Sequence, residues 1–238
     1  TTLAAGSGNN ITLDRAGNNF QAAVKITSGA NVTLVDAGAI DLGASTVSGT
    51  YAVTATSGGG ITDSGVLAIT NGATFTVAGG QSIILDQSST FSSTVTFTPS
   101  SGTIAAVTIN DSNAFDLKAL TTTGNLTVTA GGAVTDSGAL VIPGTTTITA
   151  TGQVVDLDHT SNNFATILFG SSSNAVSSVE VVDTNAIAIG ASKSTGNFTV
   201  TAGDDVTDSG TVTVGGNLSV TTSASDGLIN MGTLEVDG

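Results

Sequence analysis

Carboxylates are the side chains of this 238-residue chain that could do chemistry in number: 18 acidic groups stand against 4 basic ones, one histidine and no cysteine. They are placed with regularity. Asp63, Asp136 and Asp208 each stand at the centre of the phrase Ile/Val-Thr-Asp-Ser-Gly, Asp14, Asp86 and Asp158 each follow a leucine, and Asp36, Asp111 and Asp183 each close another apolar run. Interleaved, the nine recur about every 24 residues, the period range of solenoids, and Asn230 arrives where a tenth is due. Read as one column, they allow two kinds of chemistry. The carboxylates accept N–H bonds in the turn that follows each run, which suits the small residues, tolerant of left-handed turn conformations, after them, Ala37-Gly38, Ser64-Gly65, Ser112-Asn113, Ser137-Gly138 and Thr184-Asn185. Alternatively they form a ladder for a cation, with Asp204, Asp205 and Asp208 as the local calcium candidates, although the Gly-Gly-x-Gly-x-Asp calcium repeat is absent. Stacking would give Asp136 the neighbours Asp111 and Asp158, with a repulsion of ~1 kcal/mol per pair at water's dielectric and ~3.5 at an effective 20.

Catalysis needs more than carboxylates. Two acids across a groove are the minimum for a glycan-cleaving enzyme, and Asp204 and Asp205 could supply them. The rest of such equipment is sparse: one His (His159), one Arg (Arg15), three scattered lysines (Lys25, Lys118, Lys193), one Tyr (Tyr51) and no Trp. His159 reads as a turn residue. The expectation is no enzyme and no cofactor.

The elements that must carry these groups are strands. Within 124–195, runs such as Leu126-Thr127-Val128-Thr129-Ala130 and Val179-Glu180-Val181-Val182-Asp183 alternate with period two, are rich in β-branched residues and end on Gly, Asn or Ser. Three short strands fill each period. A unit of ~24 residues cannot bury its own apolar side, but stacked copies ~4.8 Å apart can. The expected fold is therefore all-β, a right-handed parallel β-helix of about ten coils with an axis of roughly 48 Å, forming a single domain over 1–238 that is cut from a longer repetitive protein. Pro99 and Pro143 are expected between strands, and Phe20, Phe91 and Phe164, which share one repeat position, as core aromatics stacked at a corner. Outward Thr-x-Thr pairs (Thr54/Thr56, Thr96/Thr98, Thr127/Thr129, Thr149/Thr151, Thr199/Thr201) would make a flat array of the kind that binds ice or crystals, broken at Lys25, at Ala78 and at Leu168 with Gly170.

Composition narrows the partners. A formal charge of −14 leaves no basic face for nucleic acid or an anionic membrane, and no run approaches the length of a membrane span. With 39% hydrophobic residues in alternating runs, the chain is not of the disordered class.

The phrases Asn10-Ile11-Thr12-Leu13-Asp14, Asn31-Val32-Thr33-Leu34-Val35-Asp36 and Gly124-Asn125-Leu126-Thr127-Val128-Thr129-Ala130-Gly131-Gly132 resemble the repeats of filamentous-haemagglutinin-type exoproteins, large bacterial adhesins exported by two-partner secretion. The resemblance covers essentially the whole chain and is one of repeat style. It implies a secreted, cell-surface location and a role as structural shaft with low-specificity contact to a host surface or matrix. Neighbouring coils of the same longer chain are the expected partners, with end-to-end self-association of open coils. Ice or crystal binding, calcium stabilisation and a polysaccharide-active enzyme are the alternatives.

Overall fold

The computed structural model describes residues 1–238, which form strands and turns with no helix. Every strand pairing is parallel, and the strands follow one another as coils of a β-solenoid, about 11 turns with repeats of ~21–24 residues. The coil length is not constant, since Val32 pairs with Tyr51 whereas Ile83 pairs with Val107. The chain groups into two compact units, Thr1–Asn113 and Ala114–Gly238.

In the first unit one face is the five-stranded stack Ile11–Leu13, Val32–Asp36, Tyr51–Ala55, Ala73–Val77 and Val95–Pro99. A second face stacks Ile40–Leu42, Ile61–Asp63, the first half of Ile83–Phe91, and Val107–Asp111. The third face holds Ser45–Val47, Leu67–Ile69 and the second half of Ile83–Phe91. Alternation decides which side chains enter. In Val32–Asp36 and Tyr51–Ala55 every second residue is buried, so each strand gives three side chains to the interior. Tyr51, Phe75 and Phe97 follow one another in the core, each ring centroid 6.2 Å from the next, and Phe91 meets Phe75 edge-on at 6.1 Å.

In the second unit one face is the stack Phe115–Leu117, Val134–Asp136, Val154–Leu157, Ser178–Asp183, Phe198–Ala202 and Leu218–Thr222. Another holds Leu126–Ala130, Leu140–Thr149, Asn163–Phe169, Ile187–Ile189, Val206–Asp208 and Ile229–Asn230. The short strands Ser192–Ser194, Val212–Val214 and Leu234–Val236 make the third.

Two sequence expectations are corrected. The prolines do not lie between strands: Pro99 ends Val95–Pro99, and Pro143 sits inside Leu140–Thr149. The latter is tolerated because the ladder register breaks between Ile142 and Thr145, so Pro143 is asked for no ladder N–H. The glycines of the Asp-Ser-Gly phrase are also not left-handed turn residues, since positive φ occurs only at Gly6, Gly80, Gly102, Gly152 and Gly170. Their reason is close approach. A Cβ on Gly65, Gly138 or Gly210 would lie 2.2, 2.3 or 2.8 Å from the backbone N of Ala44, Ala119 or Ala191 in the preceding coil. Each corner therefore folds against an alanine of the coil before it with no room for a methyl. Gly138→Ala is expected to destabilise the second unit by about 1–3 kcal/mol through this overpacking, read as a lowered melting temperature, whereas Gly8→Ala, with nothing near its Cβ position, should be silent.

Candidate functional site

The nine aspartates do not make one column. In the ladder register Asp36 faces Ala55, Asp63 faces Leu42, Asp111 faces Ser89, Asp136 faces Leu117, Asp183 faces Ala202 and Asp208 faces Ile189. No member is paired with another, so the expected stacking of Asp136 on Asp111 and Asp158 does not occur. Asp14, Asp86 and Asp158 point outward and are exposed, because in the Leu-Asp phrase the leucine takes the inward place. Asn230 is likewise one residue out of step, pairing with Thr207 rather than Asp208.

The six remaining carboxylates fall into two sets that reach in opposite directions. Those of the Asp-Ser-Gly phrase reach forward one coil. Asp63 Oδ1 accepts the N–H of Asp86 (2.9 Å) and of Gln87 (3.4 Å). Asp136 Oδ1 accepts the N–H of His159 (3.3 Å) while its Oδ2 accepts Asn162 Nδ2 (2.6 Å). Asp208 takes Gly232 N–H on one oxygen (2.7 Å) and Thr233 N–H on the other (2.9 Å). The other set reaches back. Asp36, Asp111 and Asp183 accept the N–H of Phe20 (2.7 Å), Phe91 (3.2 Å) and Phe164 (2.6 Å) in the preceding coil. Each also closes its own turn by accepting the N–H two residues on, from Gly38, Asn113 and Asn185.

Between the two sets lie two segments, 73 residues apart. The segment from Asp86 to Phe91 is held from one side by Asp63 and from the other by Asp111. The segment from His159 to Phe164 is held in the same way by Asp136 and Asp183. At these segments the chain passes from one face to the next, and in Ile83–Phe91 the ladder register shifts between Leu85 and Ser89, so main-chain N–H groups there need acceptors that the ladder does not supply. Phe91 and Phe164 turn into the core while Phe20 is half-buried, and the three are too far apart along the coils to stack on each other; Phe91 packs on Phe75 instead.

A family model described as repeats of unknown function (DUF5649) matches residues 1–27, 29–98, 104–169 and 176–234. The chain belongs to this repeat family. No curated protein and no solved structure matches it. The DUF5649 matches coincide with the clamp: 29–98 contains Asp36, Asp63 and Asp86, 104–169 contains Asp111, Asp136 and Asp158, and 176–234 contains Asp183, Asp208 and Asn230. Each of these three segments thus carries one backward-reaching carboxylate, one forward-reaching carboxylate and one outward residue, while 1–27 holds Asp14 alone.

Several residues of the DUF5649 clamp carry no charge. Asn162, fully buried, donates to Asp136 and to Leu157 O and accepts Leu140 N–H at 2.9 Å. Ser89 accepts Leu67 N–H at 3.0 Å, and Asn18 donates to Leu13 O and Val35 O. All three stand two residues before the phenylalanine of their coil, and the identical triplets Asn18-Asn19-Phe20 and Asn162-Asn163-Phe164 are the signal that could have found them. A separate asparagine series begins strands: Asn10, Asn31, Asn125 and Asn197 each accept, on Oδ1, the N–H of the equivalent residue one coil on, Asn31, Thr50, Thr145 and Asn217.

The other candidates lie apart. Asp204, Asp205 and Asp208 are not gathered, and no group of three acidic or imidazole side chains is placed to hold a metal. Asp205 accepts Leu228 N–H, Asp208 is engaged as above, and Asp204 bonds through its main chain. His159 accepts Ser161 N–H on Nδ1 at 3.2 Å and sits in the clamped turn. Lys118 pairs with Asp116 and Ser137, and Tyr51 is fully buried, which removes it as a sugar platform. The threonine array is divided. Thr54, Thr76 and Thr98 align, as do Thr74 and Thr96, but Ala52 and Val35 interrupt these rows. Thr127/Thr129 and Thr199/Thr201 lie on different faces of the second unit.

Burial sets the electrostatics. Desolvation pushes Asp63 from an ordinary 3.8 up to about 6, against the N–H bonds from Gln87 and Asp86. Asp111, Asp136 and Asp183 are raised for the same leading reason, whereas the N–H groups of Gly232 and Thr233 hold Asp208 down. A carboxyl whose folded pKa is raised adds stability that is fully present below the unfolded pKa of 3.8 and is lost as pH rises through about 6. The melting temperature is therefore expected to rise as pH is lowered from about 7 to about 4.5, with Asp63 contributing on the order of 1–2 kcal/mol, and Asp63→Asn should flatten the part of that rise near pH 6.

Oxygen use separates the carboxylates further. Asp63 and Asp111 take both donors on Oδ1, and their Oδ2 atoms are buried without a partner, so an amide can replace them. In Asp36, Asp136, Asp183 and Asp208 each oxygen meets its own donor, and an amide nitrogen would face one of them. At pH 7, Asp63→Asn is expected to be neutral or stabilising and Asp136→Asn to cost about 1–3 kcal/mol. Thermal melts of the two variants decide this; equal loss in both would refute the assignment of donors.

Proposed function

We propose that this chain is a structural spacer from the shaft of a secreted bacterial surface adhesin of the filamentous-haemagglutinin type, and that it is not an enzyme. The observation that carries the reading is the use of six recurring carboxylates: Asp36, Asp63, Asp111, Asp136, Asp183 and Asp208 are engaged in tying one coil to the next. A catalytic carboxylate must be free to meet a substrate, and two must share a groove; here Asp205 and Asp208 bind main-chain N–H groups and Asp204 contributes only main-chain atoms. What faces outward is short rows of hydroxyl and amide side chains, suited to weak contact with hydrated glycan or protein surfaces. Membership of a repeat family agrees with a role that depends on coil number more than on any one coil.

The reading is tested in the whole protein. Antibodies to residues 1–238 should label intact cells. Replacing the segment with an unrelated β-solenoid of equal coil number should preserve attachment to host surfaces, and deleting it should weaken attachment. Absence of labelling on intact cells, or loss of attachment on replacement as complete as on deletion, would overturn the spacer role.

A further inference from the structure

The third face of the second unit carries a groove that the aspartate clamp does not use. Strands Ser192–Ser194, Val212–Val214 and Leu234–Val236 align Lys193, Thr213 and Glu235 in one outward row. The coil before them has no strand at this place. After Phe169 the chain turns at Gly170 (φ 66°), where a Cβ would meet Asn174 O at 2.5 Å, and closes a tight turn with reciprocal 3.2 Å bonds between Ser171 and Asn174. It rejoins the wall at Val176 through a single bridge to Ser194. This turn, 170–175, is passed over by the DUF5649 match, which stops at 169 and resumes at 176. It borders an open groove of about 520 Å³ whose walls include Leu168, Ser171, Ser172, Ala191, Lys193 and Glu235, a size that suits a small ligand.

The wall chemistry is uneven. Leu168 lies against Gly190, where a Cβ would fall 2.4 Å from its Cγ, and with Ala191 it gives one apolar side. Lys118 and Lys193 are the only lysines or arginines of the unit. Lys118 is engaged by Asp116 and Ser137, while Lys193 has no carboxylate or other hydrogen-bond partner. Glu235 is held away from it, accepting the Thr213 hydroxyl at 3.2 Å, and two strand spacings put the Lys193 and Glu235 backbones ~10 Å apart. An unpaired ammonium, an apolar wall, serine hydroxyls and a carboxylate on the far rim thus converge on one hollow.

We propose that this groove binds an acidic amino sugar, a saccharide that carries both a carboxylate and an N-acetyl group. The carboxylate meets Lys193 Nζ in a charge-assisted hydrogen bond. The acetyl methyl packs on Leu168 and Ala191, and ring hydroxyls donate to Glu235 and bond with Ser171 and Ser172. Two natural sources share this chemistry, the muramic acid of bacterial walls and the sialic acids of host glycans. The inference is independent of the spacer role, since neither requires the other.

The test is ligand-observed NMR titration of the 238-residue chain with N-acetylmuramic acid, N-acetylneuraminic acid, glucuronic acid as an acid without the acetamido group and, as the neutral control, N-acetylglucosamine. Saturable binding of at least one acidic sugar in the millimolar range is expected, weakened at least tenfold by Lys193→Ala and unchanged by Lys25→Ala. Leu168→Ala should weaken N-acetylated probes more than glucuronic acid. Binding of one acid and not the other assigns the source. No binding of either, equal binding of N-acetylglucosamine, or indifference to Lys193→Ala would overturn the proposal. Should Lys193→Ala fold poorly by circular dichroism, Lys193→Gln and ligand-induced amide shifts at 168–172 and 193 give the same decision.

Discussion

A carboxylate inside a β-solenoid wall must be met by main-chain N–H groups, and this one requirement organises the chain. Regular ladders leave no free donors, so the aspartates are found where a coil departs from regularity and exposes N–H groups that nothing else can accept. Asp63 with Asp111, and Asp136 with Asp183, bracket such departures from both sides. Desolvation acts against these groups, and the N–H donors offset it unequally. The outcome is a graded series, from Asp63, raised to about 6, to Asp208, held low.

The solenoid was legible because its signals are periodic: two-residue alternation gives the strands, and a period near 24 gives the coils. The aspartates were legible as acceptors of turn N–H groups, but their direction was not. Asp63 and Asp86 look alike in sequence, yet one binds the other's main chain while the second faces solvent. Spacing alone cannot show this, because a shift of one residue exchanges inside for outside, as it does at Asn230. The link between Asp36, Asp111 and Asp183 and the shared phenylalanine position was hidden for a different reason: the contact is made by the phenylalanine N–H, which its side chain does not advertise. Asn162 and Ser89 were overlooked because buried neutral polar residues blend into a chain rich in Asn and Ser.

The outer surface obeys other rules. Threonine rows form where consecutive coils keep register, and they end where a coil changes length or an alanine or valine intrudes. The groove near Lys193 arises from such an irregularity, a coil that leaves the wall at Gly170 and lets its neighbours line a hollow. Regular coils carry the packing, and irregular ones create places where something else can be held.

The forward and backward carboxylates also restrict how such a chain can change its length. Removing a single coil would leave an aspartate facing a regular ladder with no donor to receive, or an irregular turn with no acceptor. Removing or duplicating a full repeat of 72 or 73 residues, the spacing between Asp63, Asp136 and Asp208, returns every donor to an acceptor of the right direction. Growth and loss are therefore quantised: recombination among these repeats can add or delete whole blocks freely, while slippage by one coil produces a chain that carries an unpaired charge in its wall.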